Sequence, residues 1–200
     1  MAEITASMVS ELRGRTGAGI MDCKRALTEA SGDLEKATEA LRKAGIAKAA
    51  KKAGRATAEG LVHAYIHPGG RVGVLLEVNC ETDFVARNEK FQALVNDLAM
   101  HVAAARALSV RVEELDPGVV QRERSLFEAQ ARESGKPDAV VEKMVEGRLK
   151  KFYEETVLLE QGFVKDPDKS VSNIIQEAIA TIGENIQIKR FVRFELGQDD

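Results

Sequence analysis

The side chains in this sequence that could do chemistry are three histidines, His63, His67 and His101, and two cysteines, Cys23 and Cys80. His63 and His67 stand four apart in a stretch that alternates like a strand, which separates them by roughly 13 Å at ~3.3 Å per residue, too far to share a metal ion. Cys80 beside a histidine such as His63 would suggest a thiol nucleophile, but Cys80 falls on the core-facing parity of its strand, where a thiol is inert. Gly17, Ala18 and Gly19 precede a helix and could cradle a phosphate, yet no strand comes before them, so a helix–helix turn is favoured. Neither GxSxG, HExxH nor a Walker-type loop occurs, and the sequence is read as that of a binding protein, with no enzymatic activity, metal or cofactor expected.

Two further features bear on recognition. Lys48, Lys51, Lys52 and Arg55 form a basic run, but no aromatic residues are interleaved for base stacking, so a solvated face is favoured over a nucleic-acid site. The segment after the strand that ends at Cys80 mixes polar Glu81, Thr82 and Asp83 with apolar Phe84 and Val85. Periodicity alone favours Phe84 folding back as core. The alternative is an aromatic anchor displayed beside a carboxylate.

The elements that must position these residues fall into two groups. None of the nine aromatic residues precedes Tyr65, so the first part of the chain must pack on small aliphatic side chains. Charge divides in the same place: residues 1–55 carry eleven Lys/Arg against seven Asp/Glu, and residues 56–200 carry eighteen against twenty-five. A docking domain at 1–55 and a core domain at 56–200 are therefore expected. Thr5 opens a first helix that stops at Gly14; Ile20, Cys23 and Leu27 define the inward face of a second; Asp33 caps a third that ends at Gly45. Residues 46–55 read as a solvated helical linker.

Beyond the linker the period changes to two. Leu61 to His67 and Arg71 to Cys80 flank Pro68-Gly69-Gly70, a hairpin signal, and Val72, Val74, Leu76, Val78 and Cys80 share the core face. Asn88 caps a helix carrying Phe91, Leu94, Val95, Leu98 and Val102. Two charged helices follow, the second opening near Pro137, and are expected to pair. Residues 162–167 read as a loop, Ser170 opens a last helix, and Ile186 to Leu196 alternate as a last strand. The fold class is α+β: a three-stranded antiparallel sheet covered by helices. Met1 to Thr5 carry an acidic residue and no apolar run, and nowhere do 18 apolar residues stand together, so a cytoplasmic chain with reduced thiols and no membrane contact is expected.

Two long segments resemble the elongation factor Ts family: Leu12-Arg-Gly-Arg-Thr-Gly-Ala-Gly-Ile-Met-Asp-Cys-Lys-Arg-Ala-Leu27 and Leu76-Glu-Val-Asn-Cys-Glu-Thr-Asp-Phe-Val-Ala-Arg87. Leu158 to Asp166 and Ile182 to Arg190 are similar to family segments too, although Gly162 stands where the family usually has proline. The resemblance implies a guanine nucleotide exchange factor for the GTPase elongation factor Tu. It implies that residues 1–55 are a ubiquitin-associated-like three-helix domain docking on that GTPase through Arg13, Ile20 and Met21. It implies that Thr82, Asp83, Phe84 and Val85 intrude beside the nucleotide, dislodging Mg2+. Because the chain holds one core unit where fuller members have two related halves, a homodimer giving a two-plus-two complex is expected, with no nucleic acid and no membrane among its partners.

Overall fold

The computed structural model describes residues 4–198, so Met1, Ala2 and Glu3 of the acidic N-terminal stretch lie outside the described residues. Helix α1, Ala6–Thr16, begins where the Thr5 hydroxyl accepts the Met8 N–H at 3.3 Å, and it ends at Gly17, whose φ of +64° is the left-handed cap that glycine adopts without strain. The stop expected at Gly14 falls inside the helix because the left-handed position is three residues further on. Helix α2, Ile20–Glu29, follows. Helix α3, Leu34–Ala50, opens on Asp33, whose carboxylate accepts the N–H groups of Glu35 and Lys36 at 3.0 Å each.

These three helices bury Leu12, Cys23, Ala26, Leu27 and Ala37, with Ile4, Met8, Val9, Leu34 and Leu41 packed around them. As composition requires, that core has no aromatic residue. Burying Leu12 and Leu27 completely contributes about 1.5–3 kcal/mol each. Gly45 does not end α3. A Cβ there would lie 3.3 Å from the Ala180 methyl, so Gly45 marks a close helix approach rather than a cap.

Strands β1, Glu59–Ile66, and β2, Val72–Cys80, form the expected hairpin; Gly69 and Gly70 take φ of +94° and +68°, and the His67 N–H donates to the Val72 carbonyl at 2.9 Å. Two further strands, β3 (Gly162–Phe163) and β4 (Asp166–Ser170), come before strand β5, Gln187–Glu195, which completes a sheet of order β1-β2-β5. The Leu196 N–H donates to the Arg71 carbonyl at 2.9 Å and Arg190 meets Glu77 at 2.7 Å, which makes β2 and β5 antiparallel. Val74, Leu76, Val78 and Cys80 are buried on one face of β2, as their parity demands. Gly60, with φ of +149°, is obligatory: a Cβ there would sit 2.2 Å from the Val78 carbonyl oxygen.

After a short helix α4, Asp83–Ala86, helix α5, Glu89–Ala105, buries Phe91, Val95, Leu98 and Val102; the Asn88 side chain accepts the Lys90 N–H at 2.8 Å at its start. Helices α6, Pro117–Arg132, and α7, Asp138–Thr156, pair through Ala131, Val141, Val145 and Leu149, flanked by Val120, Phe127, Met144 and Tyr153. Residues 162–167 are not a plain loop. β3 and β4 pair antiparallel, with Phe163 opposite Asp166 and its ring buried. Helix α8, Val171–Ile182, then begins directly after Ser170. Eight α-helices are thus formed among the described residues, with none long and apolar enough to cross a membrane.

By its contacts the chain divides into two compact units. The first takes the described residues to Leu61, Val78–Leu94 and Asn173–Gln187; the second takes Val62–Glu77, Val95–Ser172 and the described residues from Ile188.

In the second unit His101 is buried, and the Val164 N–H donates to its Nδ1 at 3.1 Å, so Nε2 carries the proton and donates to Gln161 Oε1 at 3.1 Å. Burial holds the imidazole pKa below its ordinary 6.5. The unfolded chain therefore takes up this proton first as pH falls, and the stability due to neutral His101, complete above pH ~6.5, is lost as pH drops through the depressed folded value. Urea midpoints should fall between pH 7.5 and pH 5.5, and His101→Gln should flatten that fall; an unchanged slope in the variant would assign it elsewhere.

Candidate functional site

The candidate site grows from the end of β2. Strand parity would place Phe84 on the same face as Cys80 and Thr82, but the alternation ends at Thr82, where the chain turns into α4. The Thr82 hydroxyl accepts the Val85 N–H at 3.4 Å as the N-cap. Two residues along a helix turn through ~200°, so with Ala86 buried, Phe84 must face outward. It is 79% exposed, and the core position favoured by periodicity is overturned by this change of period. Asp83 beside it pairs with Arg87 at 2.7 Å, both side chains in solvent.

The turn is braced from the segment between α8 and β5. Glu184 Oε2 accepts the N–H groups of Glu81 and Thr82 at 3.1 and 3.0 Å, and its Oε1 accepts the Thr82 hydroxyl at 2.7 Å. The next residue, Asn185, is buried; its N–H donates to Glu81 Oε1 at 2.6 Å and its side-chain amide donates to the Ala53 and Arg55 carbonyls at 3.3 and 2.8 Å. Glu81 also meets Arg55 at 3.5 Å. Sequence periodicity missed Glu184 and Asn185. The antiparallel register of β2 and β5 carries the signal, because it brings residues just before β5 beside residues just after β2.

The residues expected to dock, Arg13, Ile20 and Met21, lie around the α1–α2 turn. Arg13 is exposed, and Ile20 and Met21 are 55% and 75% exposed. Ile20, read from spacing as inward, is the first residue of α2 and lies outside the bundle core. Arg13, Ile20, Met21 and Thr82–Val85 all belong to the first compact unit.

The remaining candidates are engaged internally. Cys80 is buried, and its thiol donates to the Thr82 carbonyl at 3.2 Å; burial first, then the Glu184 charge, pushes its pKa up to about 11, so the nucleophilic thiolate is scarce at neutral pH. His67 Nδ1 lies 3.2 Å from the Tyr65 hydroxyl. The basic run is not a free linker: α3 continues to Ala50, Ala49 is buried, Lys48 pairs with Asp22 at 3.0 Å, and Lys52 donates to the Gly183 carbonyl. Lys48 in turn holds the Asp22 carboxyl below its ordinary pKa.

Comparison with known proteins covers both halves of this geometry. A family profile described as elongation factor TS matches residues 35–198. The elongation factor Ts of Geotalea daltonii is 63% identical over 195 residues, covering 98% of this chain and 90% of that protein. That of Desulforamulus reducens is 60% identical over 198 residues, covering 99% and 91%, and that of Geobacter sulfurreducens is 58% identical over 195 residues. With a braced turn displaying Phe84, and likeness over nearly its whole length, the chain belongs to the elongation factor Ts family.

Proposed function

We propose that this chain is a cytoplasmic guanine nucleotide exchange factor of translation elongation, acting without covalent chemistry on the GTPase elongation factor Tu. The observation that carries the reading is Phe84, a large apolar side chain held 79% exposed on a braced turn beside a carboxylate. Such a residue gives up ~1.5–3 kcal/mol of burial in the free protein and recovers it only in a partner.

Helices α1 to α3 serve as a ubiquitin-associated-like docking domain, with Arg13, Ile20 and Met21 as its contacts. Docking brings Thr82, Asp83, Phe84 and Val85 to the nucleotide site. A guanine nucleotide is held mainly through its phosphates and Mg2+, so disturbing that coordination suffices for release. Asp83 perturbs the polar network around the metal while Phe84 wedges into a packed element that has two arrangements. Each tenfold loss of nucleotide affinity requires ~1.4 kcal/mol of coupling. Incoming GTP weakens the factor's grip by the same reciprocal amount, so the cycle turns over with no bond made or broken.

The chain acts as a homodimer in a two-plus-two complex. Supporting this, one face of the sheet in the second unit exposes Val62, Ile66, Leu75, Val192 and Phe194 together.

Stopped-flow release of fluorescent GDP from elongation factor Tu tests the function. Saturating chain should accelerate release by orders of magnitude, and release at the intrinsic rate would overturn the reading.

A further inference from the structure

Resting on the exchange function proposed above, we infer that Glu184 and Asn185 form a positioning clamp that sets the reach of Phe84 relative to the docking helices. Glu184 holds the turn. Its two carboxylate oxygens take three donors, the N–H groups of Glu81 and Thr82 and the Thr82 hydroxyl, at 2.7–3.1 Å. Charge-assisted bonds of this length are the strong class, and here they fix the residue that caps α4. Because the Thr82 proton is committed to Glu184, the lone pair of that hydroxyl is left to receive the Val85 N–H. The direction of Phe84 is thus set two bonds away, by a residue that itself need not touch the partner.

Asn185 holds the other end. Its side-chain amide donates to the carbonyls of Ala53 and Arg55, in the chain leaving α3, while its backbone N–H donates to the Glu81 carboxylate. Lys52 adds a bond to the Gly183 carbonyl. Three polar contacts therefore tie the chain leaving α3 to residues 183–185, and a fourth, from Asn185 to Glu81, carries on to the base of the turn, all within one compact unit. An exchange factor must deliver two contacts at once, and misplacing one by ~1 Å can cost a hundredfold in rate. The clamp supplies that fixed spacing.

The test is the maximal rate and half-saturating concentration of GDP release for Glu184→Ala, Glu184→Gln, Thr82→Val and the Glu184→Ala/Thr82→Val double variant, with the full chain. Glu184→Ala should lower the maximal rate about tenfold or more while leaving half-saturation, set by the docking helices, within about twofold. Glu184→Gln, keeping one acceptor, should recover part of the rate. The double variant should lose less than the product of the two single losses, because one of the three Glu184 bonds runs through the Thr82 hydroxyl. A wild-type maximal rate in Glu184→Ala, or a fully additive double variant, overturns the clamp. If the wild type itself fails to release GDP, the function is wrong, and amide hydrogen exchange then judges the clamp alone. Glu184→Ala should speed exchange at the Thr82 and Val85 amides, and unchanged protection there would sink it.

Discussion

Phe84→Ala should abolish most of the GDP release that the wild-type chain promotes, by about thirtyfold to a hundredfold or more, the effect of removing an aromatic anchor worth ~2–3 kcal/mol. The loss should appear in the maximal rate. Met21→Ala, at the proposed docking surface, should instead raise the concentration needed for half-saturation. The folded chain should hardly notice the Phe84 change, because the side chain is 79% exposed and its removal leaves no cavity. Its melting temperature should therefore match the wild type, which separates loss of function from loss of fold. Phe84→Leu, keeping apolar bulk without the ring, should recover part of the rate. Asp83→Asn tests the second component: it removes the charge yet keeps the shape, and also releases Arg87. A smaller loss than for Phe84→Ala is expected, since Asp83 is already partnered in solvent. Full activity in Phe84→Ala would remove the wedge from the mechanism.

What the sequence made legible was mostly local. Thr5, Asp33 and Asn88 cap the helices they were read to cap, because the signal is a side chain reaching two or three residues along its own backbone. The core parity of Val74 to Cys80 was legible because strand geometry has an exact period of two. Glycine misled where its reason is tertiary. Gly45 lies within α3 against Ala180, and no local rule distinguishes that from a helix end. The β3–β4 pair reads as loop, since its apolar content is little more than Phe163, whose ring lies 5.7 Å from that of His101, far away in the chain.

At the site, the residues on display were legible only through family resemblance, and the residues bracing them only as part of a family-like segment with no role attached. Phe84 defeats periodicity because the chain changes period within three residues. Glu184 and Asn185 are more than a hundred positions from Thr82, and only a correct strand register brings them together. The fold class needed pattern alone; the site needed topology.

The same topology frames the second large effect. Val192→Glu/Phe194→Glu should convert the free chain from twice 21.8 kDa to 21.8 kDa by light scattering. Val62, Ala64 and Ile66 on β1, Leu75 on β2, and Val192 and Phe194 on β5 are exposed on three adjacent strands. At one end of that face Glu77 and Arg190 pair at 2.7 Å, giving the apolar patch a polar margin. Two such faces related by a twofold axis can stack ~10 Å apart, as sheets in a sandwich do, each residue's partner being another of the same apolar set. Two glutamates per chain would then put four carboxylates into one dry interface, where an unpaired buried charge costs several kcal/mol. In the separated chain the same side chains lie in water, so circular dichroism should remain native. Melting should fall only by the stability that association adds, and for the wild type it should rise with concentration where the variant's does not. A wild-type mass of 21.8 kDa at every concentration would refute the dimer. If the variant is monomeric yet still releases GDP at the wild-type maximal rate, each chain works alone, and the pairing serves stability rather than exchange.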